Sequence, residues 1–258
     1  MSTIEIPDDA SPEQSTSDDG LEIRLLTTAD EMTAVVDVFQ QVWGSVTELV
    51  RIEMLMAIAH SGGYVCGAFE TGPDGDDRIL GASVAFLARH HGQPALHSHI
   101  TGLLPGARHS GLGRGIKLHQ QAWARDNGIE WIVWTYDPLV RRNGWFNIAV
   151  LGAEVHGYME SFYGEMTDAI NAGDQTDRLL VAWNAFSEPD DTLHDGHDHP
   201  DAVLIPTPED IVMLRRTESD EAARWRSETR ASLGGALNSG RKVLGFTRHG
   251  EYVVEPPR

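Results

Sequence analysis

The stretch LLPGARHSGLGRGIKLHQQAW, residues 103–123, concentrates glycine and positive charge in a chain that is otherwise acidic. The apolar run before it predicts a β-strand that ends at Pro105, and the pattern after Gly111 predicts a helix. A glycine-rich turn at a helix N-terminus presents backbone N–H groups at the positive end of the helix dipole, so the stretch predicts an anion-binding loop. The stretch has no Asp or Glu, and its basic side chains include Arg108, His109, Arg114 and Lys117.

The glycine spacing argues against two common nucleotide-binding loops. A Rossmann turn requires Gly-x-Gly-x-x-Gly, but the residue three places after Gly113 is Ile116. A P-loop requires Gly-Lys followed by Ser or Thr, and the sequence has no such tripeptide. Both folds are therefore disfavoured, although glycines at 111, 113 and 115 let the backbone approach a bulky diphosphate closely.

Composition and charge narrow the class of protein and its partners. With 258 residues, 41% of them hydrophobic, the chain can bury a sizeable core. Its net charge of −19 disfavours nucleic acid and anionic membranes, which are bound mainly through Lys and Arg. Cys66 is the only cysteine, no signal-peptide pattern opens the sequence, and no uncharged apolar run reaches the roughly 18 residues of a membrane span. These features predict a cytoplasmic protein with no membrane partner.

The sequence divides into four predicted regions. Residues 1–20 form a polar, acidic leader that is predicted to be disordered, because it has too little apolar surface to offset the entropy of ordering. Residues 21–186 form the core, residues 187–201 form a flexible, acidic, His-rich loop, and residues 202–258 form an extension packed on the core. The loop holds His194, His197 and His199, which we interpret as solvated, and no metal site is predicted.

Within the core, the apolar periodicity predicts an alternation of helices and strands. A strand, a helix and a strand between residues 95 and 136 predict a parallel crossover. The predicted elements are helices at 29–42 and 47–60, strands at 64–70, 79–88 and 95–104, a helix at Leu112–Asp126, a strand at 130–136, a short helix at 143–152 and a strand at 177–186.

The pattern Arg108-x-x-Gly111-x-Gly113, placed between a strand and a helix, resembles the pyrophosphate-binding motif of the GCN5-related N-acetyltransferase (GNAT) superfamily. Segments such as WTYDPLVRRNGWFNIAVLGA (134–153) resemble a GNAT subgroup associated with N-acylamino-acid racemases, whose members are proposed to be N-acyl or N-succinyl transferases. The resemblance implies an α/β (α+β) fold: a mixed, mostly antiparallel central sheet flanked by helices, with a C-terminal extension.

The same resemblance implies a function. The donor would be acetyl-CoA or another acyl-CoA, and the acceptor would be the amine of a small molecule such as an amino acid, attacking directly in a ternary complex without a metal. The acyl group would be acetyl or another group such as succinyl, and a homodimer is one candidate oligomeric state. The alternative is a non-catalytic GNAT-fold protein that binds or senses acyl-CoA.

The resemblance also implies which residues contact CoA. Loop amides would bind the pyrophosphate, Leu103 would contact pantetheine through its backbone, and Asn143 or Asn147 would bond the pantetheine arm. Helix capping is the structural alternative for these positions. The implied loop residues are Arg108, His109, Ser110, Gly111, Leu112, Gly113 and Arg114.

The chemistry needs a base for the ammonium proton and an acid for the leaving thiolate. His97 and His99 alternate on one face of the motif strand and Asp137 ends the next strand; of these, His99 and Asp137 are predicted site residues. Many GNAT enzymes supply the acid as a Tyr in the helix after the fifth strand, but the corresponding stretch NIAVLGA (147–153) has none. Tyr158, Tyr163 or water would have to replace it, and Tyr163 is the predicted acid.

Overall fold

The computed structural model describes residues 15–16, 21–44, 48–72, 76–107, 111–164, 175–188 and 192–257. A twisted sheet forms its centre, in the strand order β1-β2-β3-β4-β5-β6-β8-β7. All neighbours pair antiparallel except β5 and β6, which run parallel. The strands are β1 (Ser15–Thr16), β2 (Leu21–Leu25), β3 (Tyr64–Thr71), β4 (Asp77–His90), β5 (Gln93–Leu103), β6 (Trp131–Tyr136), β7 (Glu154–Met159) and β8 (Arg178–Asn184).

Helices cover both faces of this sheet. On one face lie α1 (Ala29–Trp43) and α2 (Ile52–His60), which pack apolar side chains such as Met32 and Phe39 against Val84. On the other face lie α3 (Leu112–Asp126) and α4 (Arg141–Gly144), the latter continued by a π-helical turn (Trp145–Val150). The structure thus confirms the predicted mixed, mostly antiparallel sheet flanked by helices.

The start of α1 shows how the sequence fixes a helix boundary. Thr28 is the N-cap residue: its side chain accepts a hydrogen bond from the backbone N–H of Glu31, and the Glu31 carboxylate accepts one from the backbone N–H of Thr28 at 3.0 Å. This reciprocal capping box satisfies two N–H groups that the helix cannot pair itself. The helix ends at Gly44, whose φ of 61° is the left-handed conformation that glycine adopts without strain.

Residues 203–254 build a second, smaller sheet with its own helices, in the strand order β10-β11-β9. Tyr252 donates a hydrogen bond from its hydroxyl to the Pro138 carbonyl at 2.8 Å, and Phe246 packs so tightly on Gly144 that a Cβ there would lie 2.5 Å from its ring. The elements are β9 (Val203–Pro206), α5 (Ile211–Thr217), α6 (Ser219–Thr229), a π-helical turn (Arg230–Gly234), α7 (Gly235–Asn238), β10 (Val243–Phe246) and β11 (Glu251–Val254).

Several elements differ from the prediction. Ser15–Thr16 of the leader pair with β2, so these two residues form an edge strand, and the other leader residues lie outside the described part. The His-rich loop is held at His194, whose backbone N–H bonds the Ala149 carbonyl at 2.9 Å. Strand β7 was not predicted. A bulge at residue 156 breaks its side-chain alternation, which is the signal that sequence analysis depends on.

Among the helices of the described residues, none combines the length and the apolar character that crossing a membrane requires.

Phe246 offers a test of how firmly the extension is joined to the core. Its side chain is fully buried and shares one apolar cluster with strand residues of the main sheet. We expect Phe246→Ala to lower the free energy of unfolding by about 3–5 kcal/mol, because it removes a buried ring and leaves a cavity. Phe186→Ala is the matched control, since that ring is 52% exposed. Urea denaturation measures both variants, and equal effects would contradict a shared core.

Candidate active site

Among the described strands one pair, β5 and β6, is parallel, and a cleft opens in the middle of the sheet where this pair separates. Strands β5 and β6 pair at Ala95–Trp131, Leu96–Ile132 and His97–Val133. No further paired positions follow between these two fully described strands, although β5 continues to Leu103 and β6 to Tyr136. Backbone groups of β5 and β6 beyond His97 and Val133 therefore border a gap that an extended ligand could enter.

Helix α3 begins beside this cleft without a side-chain cap. Its N-cap residue is Gly111, in the left-handed conformation with φ of 78°, and its first turn contains no acidic residue. A Cβ at Gly113 would lie 3.5 Å from Leu103 and 3.9 Å from Phe146. The end of β5, the first turn of α3 and the turn after β6 thus converge at Gly113, where the positive end of the helix dipole favours an anion.

Part of the predicted anion loop lies outside the described residues. Arg108, His109 and Ser110 belong to that part, whereas Gly111, Leu112, Gly113 and Arg114 lie in the cap and first turn of α3 as predicted. Arg114 also borders a cavity of about 220 Å³ between α3 and the end of the π-helical turn. Leu118, Leu151 and Trp183 line the same cavity.

Lys117 does not belong to the basic group that the sequence suggested. Its side chain is only 4% exposed, because it runs between α3 and the sheet. The ammonium group donates to the Ser98 hydroxyl at 2.8 Å and lies 3.9 Å from the centre of the Trp134 ring. Burial lowers the pKa of Lys117 to about 7. Lys117 therefore stabilises the packing of α3 on the sheet and is not available to an anion at the loop.

His97 and His99 lie on β5 at the edge of the cleft. A bulge in the pairing of β4 with β5 leaves His99 unpaired between Ser98 and Ile100. The Phe86 ring stacks on His97, with centroids 4.9 Å apart, and lies 5.6 Å from His99. Burial, reinforced by His99 and Lys117, lowers the pKa of His97 to about 4, and partial burial also lowers the pKa of His99. Both imidazoles are therefore neutral near pH 7 and can accept a proton.

Tyr163 lies near the opposite edge of the cleft. Its hydroxyl is 3.5 Å from the Thr135 hydroxyl of β6, and its ring lies over the Arg178 guanidinium at 5.3 Å. The side chain is 44% exposed, so a ligand can reach it. Sequence analysis assigned no role to Thr135 or Arg178, although Thr135 lies in the segment 134–153 that carries the subgroup resemblance.

Tyr158 is committed to the protein itself. Its hydroxyl donates to Asp177 at 2.7 Å, and Arg230 of the extension donates to the same carboxylate at 2.6 Å. Burial and the hydrogen bond to Asp177 raise the pKa of Tyr158 well above its ordinary value. Of the two tyrosines considered from the sequence, Tyr163 is therefore the one with an accessible hydroxyl.

Asp137 is not a base, and the prediction that it takes part in catalysis is wrong. Its carboxylate is 6% exposed and accepts two hydrogen bonds of 2.9 Å from Arg226. Arg215 donates a further short hydrogen bond, and Arg178 lies 4.0 Å away. Burial alone would raise the pKa of Asp137, but Arg226 and then Arg215 lower it to about 2. A carboxylate held this strongly in its charged form cannot take up a proton near neutral pH.

The two predicted asparagines differ in their surroundings. Asn147 is buried in the π-helical turn, and its side-chain oxygen accepts a hydrogen bond from the Trp134 indole at 3.2 Å. Asn143 is half-buried in α4. Because Asn147 is engaged with the sheet, Asn143 is the better placed of the two to meet a ligand.

Comparison with known proteins supports the fold. No protein-family model and no curated protein matches the sequence. Among solved structures, the ribosomal-protein-S5-alanine acetyltransferase from Vibrio fischeri matches with a TM-score of 0.52 and 14% identity, over 68% of this chain and 98% of its own. YncA from Salmonella typhimurium, solved with its cofactor acetyl-CoA, matches with a TM-score of 0.51 and 15% identity, over 66% and 98%.

A third structure, the ribosomal-protein-S18-alanine N-acetyltransferase from Escherichia coli, matches with a TM-score of 0.50 and 12% identity, over 65% of this chain and 96% of its own. At this level of identity the likeness concerns the fold alone. The fold of the chain is the GNAT fold that the resemblance implied. Resemblance to the subgroup associated with N-acylamino-acid racemases stays a prediction.

Asp137 allows a direct test of its structural role. Asp137→Asn leaves buried arginines facing a neutral side chain, so we expect a loss of about 3–5 kcal/mol in the free energy of unfolding. The pKa of Asp137 in the folded protein is about 2, below its ordinary value of 3.8. The charged carboxylate therefore stabilises the fold fully above pH 3.8, and this stabilisation is lost as the pH falls towards 2.

Urea denaturation between neutral and acidic pH measures this difference. Asp126→Asn is the control, since that exposed residue should change stability by less than about 0.5 kcal/mol. An Asp137→Asn variant as stable as the parent protein at neutral pH would rule out the structural role.

Proposed function

We propose that the protein is an acyl-CoA-dependent N-acyltransferase that moves an acetyl or another acyl group to the amine of a small molecule such as an amino acid. The observation that carries the proposal is the separation of β5 from β6 directly beside the start of α3, whose N-cap residue is the left-handed Gly111. An anion cradle and an adjoining slot in the sheet are together what a diphosphate with a long acyl-bearing arm requires.

In this proposal the first turn of α3 holds the diphosphate of CoA. The backbone of Gly111 and Gly113 leaves room for close approach, and Arg108, His109 and Ser110 complete the loop. Leu103 at the end of β5 would pair with the pantetheine arm through its backbone, and Asn143 would bond the arm from the other side. The arm would then carry the acyl group into the cleft.

His99 is the proposed general base. Its ring is neutral near pH 7 and lies at the bulge of β5, beside the cleft. It would take a proton from the acceptor ammonium, and the freed amine would attack the thioester carbonyl. As the new C–N bond forms, the C–S bond breaks and the sulfur leaves with its electron pair, while the nitrogen gives up its second proton to solvent to become the amide.

Tyr163 is the proposed acid that protonates the leaving sulfur. Its ring lies over the Arg178 guanidinium at 5.3 Å, and its side chain is 44% exposed, so the hydroxyl is open to a ligand. The hydroxyl lies near Thr135, on the strand opposite His99. The two groups would thus act from the two walls of one cleft.

The partners follow from the same features. The proposed ligands are a small amine and acyl-CoA. The net charge of −19 disfavours nucleic acid, and direct attack needs no metal at the reacting atoms. The single cysteine supports a cytoplasmic location. A homodimer is the candidate oligomeric state, and sedimentation would test it. Succinyl is proposed beside acetyl as the acyl group because of the resemblance to the racemase-associated subgroup.

A second candidate function is non-catalytic acyl-CoA sensing. It is favoured by the absence of a tyrosine from the fully described π-helical turn Trp145–Val150 and by the engagement of Tyr158 with Asp177. A sensor would bind acyl-CoA with the same cradle but would release no thiol. Incubating the protein with acetyl-CoA or succinyl-CoA and a panel of amino acids, with free thiol as the readout, separates the two functions.

Gly113 tests the cradle. A Cβ at this position would make only ordinary contacts within the protein, so Gly113→Ala should fold normally. Gly113→Val places more bulk at the point where the protein backbone is proposed to approach CoA. We expect Gly113→Val to weaken the binding of CoA at least about tenfold, which is equivalent to about 1.4 kcal/mol, in calorimetric titration. Gly106→Ala is the control, because a Cβ there would meet nothing within 4 Å. Unchanged CoA affinity in Gly113→Val would remove the main support for the proposal.

His99 tests the base. We expect His99→Ala to lower kcat by about 10²- to 10⁴-fold, the usual contribution of a positioned base. Since the pKa of His99 is lowered from 6.5, kcat/KM of the parent enzyme should stay level down to that pH and fall only below it. The variant should lose this acidic limb. His60→Ala, at the end of α2, is the control, and an unchanged pH profile in His99→Ala would exclude His99 as the base.

A further inference from the structure

Three histidines meet at a place that the proposed acyl transfer does not use. His90 ends β4, His91 forms the following turn, and His156 lies on β7, 66 residues after His90. One ligand nitrogen of each lies within 4.8 Å of the other two. The cluster lies over Trp131, four residues before Thr135 on β6, and is therefore about 13 Å along the strand from Thr135.

The nitrogen spacing fits a transition-metal ion. His90 Nε2 and His156 Nδ1 are 3.0 Å apart. Zinc bound tetrahedrally at about 2.0–2.1 Å from nitrogen requires neighbouring ligand atoms about 3.3 Å apart, so these two need only a small outward shift. The Trp131 ring lies 5.8 Å from each of these two imidazole rings and restricts their rotation. The exposed side chain of His91 can rotate to provide the third nitrogen ligand.

A carboxylate orients one of the rings. Glu154 Oε2 lies 3.4 Å from His156 Nε2, the nitrogen that does not face His90. A proton held at Nε2 by this carboxylate leaves Nδ1 with a free electron pair pointing into the cluster. Metal-bound histidines commonly have this second partner, which fixes the tautomer and makes the ligand more basic. His90 would coordinate through Nε2 by moving its proton to Nδ1, so no net proton is released.

The backbone is irregular at two of the three histidines. His91 has a φ of 48° and Gly92 a φ of 80°, so the two form a tight hairpin turn. The first position of such a turn favours Asn, Asp or Gly, and a larger residue there is strained. His156 in turn projects from the bulge of β7. Two local irregularities therefore direct histidines from different strands to one point.

We infer that His90, His91 and His156 bind a divalent transition-metal ion such as Zn²⁺, with solvent at the fourth position. Imidazole is a preferred ligand of these ions, and three protein ligands with one open position is a common zinc arrangement. The ion connects the tip of the β4–β5 hairpin to β7, which is the strand at one edge of the main sheet. The inference is independent of the proposed acyl transfer, and its test measures metal binding and stability.

The test uses the full chain without an affinity tag. Calorimetric titration with Zn²⁺ should show one equivalent bound, and Co²⁺ should give the visible absorption of a low-coordinate site. His156→Ala should abolish both signals. Glu154→Gln should weaken Zn²⁺ binding about tenfold, at the lower end of the effect of such partners because Glu154 is exposed.

His91→Gly separates the metal site from the fold. Glycine suits the left-handed backbone at this position, so the metal-free variant should melt at the same temperature as the parent or higher, but Zn²⁺ should no longer raise its Tm. The matched control is the double variant His197→Ala/His199→Ala, which removes histidines of the acidic loop and should bind Zn²⁺ like the parent.

Three outcomes would overturn the inference. The parent protein could take up no stoichiometric Zn²⁺. His156→Ala and His91→Gly could both bind the parent's full equivalent. Alternatively, the loop double variant alone could lose the metal, which would assign the ion to the acidic loop.

Discussion

The parallel pairing of β5 with β6 is the constraint on which the rest of the structure depends. Two neighbouring strands can run parallel only if a long connection carries the chain back to the starting edge. Here α3 provides that connection, so its N-terminus must lie at the end of β5 and its positive dipole end must face the cleft. The pairing extends over three positions only, and the same feature that places the helix therefore also opens the sheet beside it.

A charge network fixes the strand that forms the second wall of this cleft. Asp137 follows β6 directly, and the arginines that neutralise it come from β8, α5 and α6. A buried carboxylate without such partners would be costly, so the C-terminal extension is required for the end of β6 to be stable. The extension also shares an apolar cluster with the sheet through Phe246 and Tyr252.

The sequence predicted the elements with strong periodicity and missed those that depend on distant partners. Helix α3 begins and ends at the predicted residues, because its apolar stripe and the glycine before it are local signals. Asp137 resembled a catalytic residue at a strand end, yet Arg215 and Arg226, which hold it, lie 78 and 89 residues away. Lys117 was counted with the basic loop because a linear pattern does not show that its side chain turns into the protein. Gly111 and Gly113 lie in the cap and first turn of α3, where the sequence placed them, and their contact with a ligand stays a prediction.

The separation of Asp137 from Arg226 also bears on how the chain folds during synthesis. Ribosomes add about 5–20 residues per second, so the 89 residues between the two emerge over roughly 4–18 s. During that interval β6 can pair with β5, but the carboxylate at its end lacks the counter-charge that makes its burial favourable. Burial of this end of the sheet therefore becomes favourable only after α6 has been made, so the last step in closing the main sheet depends on a segment outside it.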